Sequence, residues 1–525
     1  MTATVSAETQ HGLRTRGSPA GAPGSNCLGS QGRCVSGWHC PVRNGEWRLA
    51  GKMAAPDQAQ WSSKAAFVLA ATGSAVGLGN LWRFPTEAGS NGGGAFVLLY
   101  VLCVVLIALP LLLAESLIGR HGQRSTIGSA VQLARQSGAS PAWSLLAVVG
   151  LIANTAILTF YCVVAGWVVY FIGTSAVDVV GAMTAGQPLR GAYALQSVDE
   201  IQQIMPTLFA NPVLLVGLQF AFVLVTVWIV ARGVKGGIEM AATWLMPAFF
   251  FLLIGITVYA AIVGDFAAAV TFLFTPDFER ALQPGVLSSA LGQAFFSLSL
   301  GGGAMIAYGA YASRDTNLAQ TSGMIAFADT AVAIIAGLAI FPIVFSVGME
   351  PDAGPTLMFQ SMPTAFHSMP GGAIVGLLFF VLALFAALTS SVSLLEISVG
   401  WVMERFGASR GKAATGIGAL VFLVGLLSAL SFNVLADQRP IPFIPGFENA
   451  NWFDAIDGIT GRLLLPLSGL ITAIFIGWVA DRKLVNGETG LTGGALVAWR
   501  FLIAWLCPVA VAAILVIGLF PQLLG

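Results

Sequence analysis

The sequence is poor in charge. Only 9% of its 525 residues are Asp, Glu, Lys or Arg, and the two signs cancel at 24 each. A soluble globular chain carries about 25% charged residues, so an ordinary water-facing surface is excluded. Zero net charge leaves no basic face for nucleic acid. Histidine is scarce, with four in all. The six cysteines do not form a disulfide framework, and Cys103, Cys162 and Cys507 sit in apolar runs where a thiol acts as a small hydrophobe. No His/Cys cluster has ligand spacing, no phosphate-binding glycine loop with lysine follows a strand, and no nucleophile–base pair is suggested. These absences argue against an enzyme or an ATP motor. What remains is 56% hydrophobic, and its long apolar runs read as a membrane protein of many crossings.

Residues 1–52 differ from the rest. They are rich in Gly, Arg, Ser and Pro, and no apolar run there is long enough for a signal peptide. Cys34, His39 and Cys40 fit no standard zinc spacing. This stretch is expected to be a disordered tail, or upstream sequence from a misassigned start with Met53 the true one. Native protein yielding peptides from before Met53 by mass spectrometry would end the second version. Residues 53–520 form the membrane domain.

Eleven hydrophobic segments follow, at about 62–90, 94–119, 143–173, 212–231, 238–263, 286–313, 322–348, 371–404, 412–431, 452–480 and 495–520. Even-numbered connections carry Arg120, Arg124, Arg135, Arg232, Lys235, Arg314, Arg405, Arg410, Lys412, Arg482 and Lys483; odd-numbered ones carry only Arg190, Arg280 and Arg439. By the positive-inside rule the first set is cytoplasmic, which places the N-terminus inside and the C-terminus outside. The longest external loop is expected at 178–211. Segments one to five (about 62–263) and six to ten (about 286–480) form two halves. An odd number of crossings in each half forces them into opposite orientations, and the segment at 495–520 is extra.

Each half opens on an interrupted helix. The first interruption is GSAVGLGN, Gly73 to Asn80, followed by Arg83 and Pro85; the second is SLSLGGG, Ser297 to Gly303. Glycine costs a helix roughly 1 kcal/mol against alanine. A backbone opened in hydrocarbon leaves N–H and C=O groups unpaired at several kcal/mol each. Such a break is tolerable where it lines a cavity or holds a solute; glycines serving close helix packing are the competing explanation. Paired interruptions point to a carrier built from inverted repeats, with its site where the breaks face each other. Half-helix N-termini suit a carboxylate and unwound carbonyls suit Na⁺. Hydroxyls at Ser297, Ser299, Thr389, Ser390, Ser391 and Ser393 add oxygens, unless they bond back to their own helix. Ionisable residues inside apolar segments are functional candidates: Arg83, Glu115, Asp329, Glu396, Asp454 and Asp457.

The runs GSAVGLGNLWRFP (73–85), NGGGAF (91–96), GQAFFSLSLGGG (292–303) and LTSSVS (388–393) resemble the neurotransmitter:sodium symporter family, and within it the bacterial amino-acid members of the leucine-transporter type. The resemblance spans Trp61 to Phe520. It implies an all-α 5+5 inverted-repeat fold with about eleven transmembrane helices, the first and sixth unwound at mid-membrane. It implies Na⁺-coupled symport of an amino acid by alternating access. One Na⁺ would sit among the Gly73, Val76 and Ala386 carbonyls and the Thr389 and Ser390 hydroxyls. The other would use Ala75, Asn80, Ser297, Asp329 and the substrate carboxylate, which each ligand then shares. The pocket would be Ser74, Ala75, Gly77, Leu78, Gly79, Ile157 and Tyr161, with Phe296, Ser297, Ser299, Gly302, Ser390 and Leu394. Tyr161 would hold the carboxylate and Phe296 would lid the pocket. Arg83 and Asp457 would gate the outside by a direct or water-spanned ion pair; Trp61, Tyr311 and Glu404 would belong to the inner gate.

Five positions refine the expectation. Asp329 stands where the family usually has Asn, and Ala333 where chloride-dependent members have Ser. A carboxylate near Tyr100, Gln293 and Ser297 can replace a buried chloride, so no Cl⁻ is expected, and Asp329 is a candidate for protonation on the return step. Gln58 replaces the inner-gate arginine, leaving Glu404 without that partner, with Lys64 a candidate substitute. Gly302 replaces a phenylalanine of the leucine-selective member, which enlarges the pocket. Gly77, where monoamine carriers have Asp, keeps the substrate carboxylate necessary. A bulky neutral L-amino acid is expected: tryptophan, tyrosine, phenylalanine or leucine. The resemblance also places the protein in a bacterial inner membrane, as monomer or homodimer, with lipid and substrate as its partners. A Na⁺- or H⁺-coupled carrier of another solute, or an amino-acid sensor on the same scaffold, is the alternative; a channel would need a filter repeated about an axis.

Overall fold

The computed structural model describes residues 60–186, 191–193, 196–351 and 357–520. The tail at 1–52, Met53, Gln58 and Arg190 lie outside them. Helix dominates, and no strand occurs among the described residues. Among the described residues nine helices are long and apolar enough to cross a membrane, or ten with one bent pair. The bent pair is α1 (Lys64–Ala75) and α2 (Gly79–Ser90), which meet at 50°. Then come α3 (Gly94–Gly122), the short α4 (Thr126–Gln136), α5 (Pro141–Thr184), α6 (Pro212–Ala231) and α7 (Val234–Val263). The sixth expected segment is divided into α8 (Pro284–Ser297) and α9 (Ala304–Ala310), each too short to cross alone. After them come α10 (Leu318–Ser346), α11 (Gly372–Phe406), α12 (Arg410–Leu430), α13 (Trp452–Val479), α14 (Arg482–Thr489) and α15 (Gly493–Leu519).

Local chemistry sets the helix ends. Ser63 caps α1 by accepting from Ala66 N at 3.0 Å, and Asn211 caps α6 through Leu214 N at 3.0 Å, with Pro212 in its first turn. The expected segment at 143–173 is longer in the structure: α5 runs on to Thr184, into the region read as loop. Beyond it, Val198–Gln202 and Ile204–Phe209 are short helices. Periodicity could not mark this extension, because the helix is apolar on every side.

Both expected breaks are present as geometry. Val76 is extended (φ −72°, ψ 106°), so α1 ends there. Between α8 and α9, Ser299 (φ +52°), Gly301 (φ +76°) and Gly303 (φ +78°) are left-handed. Gly301 is needed twice over: its φ disfavours a side chain, and a Cβ would stand 2.2 Å from the Leu465 carbonyl. Its N–H donates to the buried Glu115 Oε1 at 2.7 Å. The most extensive pairings are α5 with α11 and α9 with α3. The second sets a break helix against a long one, and α1 packs on α11 and α10.

Candidate functional site

A small cavity of ≈40 Å³ lies between the two breaks. Every residue expected in the pocket lines it except Ser297, and Asn154 and Leu465 join them. Gly77 faces α11 so closely that a Cβ would stand 2.5 Å from Ser390 Oγ and 3.4 Å from Tyr161 Oη. Tyr161 Oη lies 3.5 Å from the Leu78 N–H. The start of α2 therefore offers backbone donors beside a tyrosine hydroxyl, a setting that suits a carboxylate. Leu78, Gly79, Tyr161 and Phe296 also line a second, larger cavity of ≈510 Å³, so they form the wall between the two.

Ser297 lies behind the cavity wall, in a buried polar knot. Asn80 Nδ2 donates to Asp329 Oδ1 (2.8 Å) and to Ser297 Oγ (3.1 Å); Ser297 Oγ donates to Asp329 Oδ2 (2.6 Å). Tyr100 Oη adds a longer bond to Asp329 Oδ2 at 3.4 Å. Asn80 Oδ1 accepts from Gly77 N at 3.0 Å, tying the knot to the first break. Gln293 donates to the Gly79 carbonyl at 3.1 Å, and its Oε1 is buried without a described partner. Asp329 itself is fully buried. Its carboxylate has three neutral donors and no described cationic side chain within ion-pair distance. A buried anion held only by neutral groups suits a cation.

The other expected cation ligands also converge. Ser390 Oγ donates to the Val76 carbonyl at 3.4 Å, and Thr389 Oγ1 to the Ala386 carbonyl at 3.1 Å. A Cβ on Gly73 would stand 3.4 Å from Thr389 Cβ, which places these two in contact. The set is all neutral oxygen, carbonyl and hydroxyl. That fits a hard monovalent cation, with the carbonyls freed by the end of α1 as its core.

The expected outer pair, direct or water-spanned, shares one cavity. Arg83 and Asp457 line the ≈510 Å³ cavity together, but no direct ion pair joins them. Arg83 instead lies 3.6 Å from Glu87, with its guanidinium 4.6 Å from the centre of the Phe296 ring. On the opposite side Trp61 is buried, its ring edge-on to Tyr308 and Tyr311, and its Nε1 donates to the Tyr308 carbonyl at 3.2 Å. Here the structure gives Glu404 a partner and adds a second carboxylate. Glu404 pairs with Arg124 at 2.9 Å and accepts from Ser125 N at 2.6 Å, so its partner is Arg124 and not Lys64. The carboxylate that meets the Tyr311 hydroxyl, at 2.7 Å, is the fully buried Glu396, which Arg410 grips at 2.6 and 3.0 Å. A helix turn separates α11 positions by 3–4 residues, so the two carboxylates sit at different depths and find different cations.

A profile of the Sodium:neurotransmitter symporter family matches residues 58–185 and 192–519. The chain belongs to this family. It is 35% identical to an uncharacterized sodium-dependent transporter, YhdH, of Bacillus subtilis, over 86% of this chain and 96% of that one. It is 34% identical to another from Haemophilus influenzae, over 80% of this chain and 89% of that one. Among solved structures it resembles that of MhsT in complex with L-phenylalanine, at 40% identity and a TM-score of 0.77, covering 87% of this chain and 98% of that one. The fold is therefore that of the leucine-transporter-like symporters, and the protein is a multi-pass sodium-dependent transporter rather than an enzyme.

Within the symporter fold, reasoning from sequence overlooked Asn154, Leu465 and Arg410 as parts of these sites. A signal existed for Asn154: it lies three residues before Ile157 and seven before Tyr161, on one face of α5.

Proposed function

We propose that this symporter carries a bulky neutral L-amino acid together with Na⁺, by alternating access and without chloride. The observation that carries the proposal is the first break itself. Its freed backbone meets Tyr161 on one side of Gly77 and the Asn80–Asp329 knot on the other. A substrate carboxylate seated at Gly77–Gly79 would complete the coordination of a Na⁺ held by Ala75, Asn80, Ser297 and Asp329. A second Na⁺ would sit at Gly73, Val76, Ala386, Thr389 and Ser390 and hold α1 against α11. Each ligand fills part of the other's shell, so binding of one raises affinity for the other. Asp329 supplies a fixed negative charge beside Tyr100, Ser297 and Gln293, where a chloride would otherwise balance the cations. Protonation of Asp329 on the return step is part of the same reading.

The ≈510 Å³ cavity is lined by Arg83 and Asp457, while Trp61 is sealed among aromatics. We take this as the outward-facing arrangement, with Phe296 as the lid and the N-terminus cytoplasmic in a bacterial inner membrane. The test is thermal-shift binding across the twenty amino acids, in Na⁺ and in choline. Stabilisation by large apolar or aromatic amino acids in Na⁺ alone is expected. A preference for glycine or alanine, or equal shifts in choline, would contradict the proposal.

A further inference from the structure

Three residues of α5 project from one face into the small cavity: Asn154, Ile157 and Tyr161. Seven residues of helix rise about 10.5 Å, so Asn154 lies two turns from the Tyr161 hydroxyl. Tyr161 marks the end where Gly77 and Leu78 present backbone donors. Asn154 marks the opposite end, among Gly302, Leu394 and Leu465.

Asn154 is buried, 1% exposed, and its orientation is fixed by chemistry. The Leu394 carbonyl lies 2.6 Å from one side-chain terminus, and a carbonyl can only accept, so that terminus is the NH₂ group. The other terminus, Oδ1, is thereby turned toward the space above Gly302. A Cβ on Gly302 would stand 3.6 Å from it, at ordinary contact distance. Among the described residues no donor is aimed at Oδ1. Glycine at 302 leaves open the space that a side chain there would fill, and the surrounding wall of Ile157, Leu394 and Leu465 is apolar. A single acceptor stands at the far end of an otherwise greasy pocket.

We propose that Asn154 is a specificity residue for the substrate's side chain, and that the pocket selects an aromatic amino acid with a hydrogen-bond donor at its distal edge, the indole N–H of tryptophan foremost. The proposal rests on the reading of the cavity as an amino-acid site. A carboxylate anchored at Tyr161 directs the side chain along α5 toward Asn154, and the indole N–H meets Oδ1 in place of water. A side chain without a donor leaves that buried acceptor unpaired, which is the kind of penalty that discriminates well between near-isosteres. Ile157 between them contacts the ring.

The experiment is a ligand-by-variant cycle in the full-length protein with Na⁺ present. Competition binding is measured for tryptophan and 1-methyltryptophan, and for tyrosine and phenylalanine, on the wild type and on Asn154→Val, with Asn154→Ser as a second variant should the first fail to fold. Wild type is expected to prefer tryptophan over 1-methyltryptophan by about fivefold or more, as one buried hydrogen bond predicts. The Asn154 variants are expected to bring that ratio close to one while still binding phenylalanine. An unchanged tryptophan to 1-methyltryptophan ratio in a variant that binds would overturn the role of Asn154, as would a wild-type ratio of one. If no amino acid binds the wild type at all, the amino-acid reading falls instead, and the two failures are thereby told apart.

Discussion

At the residue scale, single atoms decide what the cavity can hold. Gly302 lines the cavity, and a Cβ there would sit at ordinary contact distance, 3.6–3.7 Å, from Asn154, Ser299 and Leu465, so Gly302→Phe should fill the cavity. Binding of tryptophan should fall at least tenfold, while a smaller aliphatic amino acid such as leucine is kept; the competition assay across amino acids checks this. Asp329 holds the charge of its knot, with Asn80, Ser297 and Tyr100 all donating to it. Asp329→Asn removes that charge while keeping the shape. Uptake by the variant should rise with chloride concentration, whereas wild-type uptake should be flat when chloride is replaced by gluconate. A wild type that itself loses uptake in gluconate would refute the chloride-free reading.

At the element scale, the second break is held open by a partner from another helix. Glu115 on α3 accepts the Gly301 N–H at 2.7 Å, and Ser299 stands in the left-handed region that L-residues avoid. Glu115→Ala would leave a buried N–H unpaired, at about 1–3 kcal/mol, and should lower the melting temperature in detergent; Glu115→Gln, which keeps an acceptor, should recover most of it. Both breaks were readable from sequence, because the glycine clusters sit inside apolar runs in corresponding positions of the two halves and the motif residues around them are local. The segment bearing Asn154 was readable as a helix, but a lone amide in an apolar run carries no charge, and only packing decides that it shares a cavity with Ile157 and Tyr161. Pairings across distant segments were not readable at all. Glu404 and Glu396 lie on one helix, and only packing decides that Arg124 meets the first and Arg410 the second. Gln58, expected at the inner gate, lies outside the described residues.

At the scale of the whole molecule, one side is open and the other latched. The side bearing Trp61 carries two further ionic locks besides Arg124–Glu404 and the aromatic seal of Trp61. Glu396 is fully buried and depends on Arg410. Removing one partner of such a pair costs about 3–5 kcal/mol, so Arg410→Ala should destabilise strongly or favour opening of that side. The second lock is Glu488 on α14, which binds Arg120 (2.7 Å), His121 (3.2 Å) and Arg314 (3.2 Å). Burial pushes the Glu488 carboxyl up, but hydrogen bonds and charge from His121 and Arg120 outweigh it and hold it below its ordinary range. A lowered folded value means that this stabilisation is complete above the ordinary glutamate range of about 4.3. It is lost as pH falls through the folded value. Melting temperature should therefore drop on acidification below about pH 4, and Glu488→Gln should flatten that part of the profile; identical profiles would remove the lock.

These scales meet in one prediction, that Na⁺ and an amino acid occupy the first break together. The most direct measurement is uptake of labelled tryptophan into proteoliposomes, with and without an inward Na⁺ gradient, for wild type, Asn80→Ala and Thr389→Ala. Concentrative uptake that needs the gradient, and is lost in both variants with reconstitution intact, is expected. Gradient-independent uptake, or full activity in either variant, would contradict it.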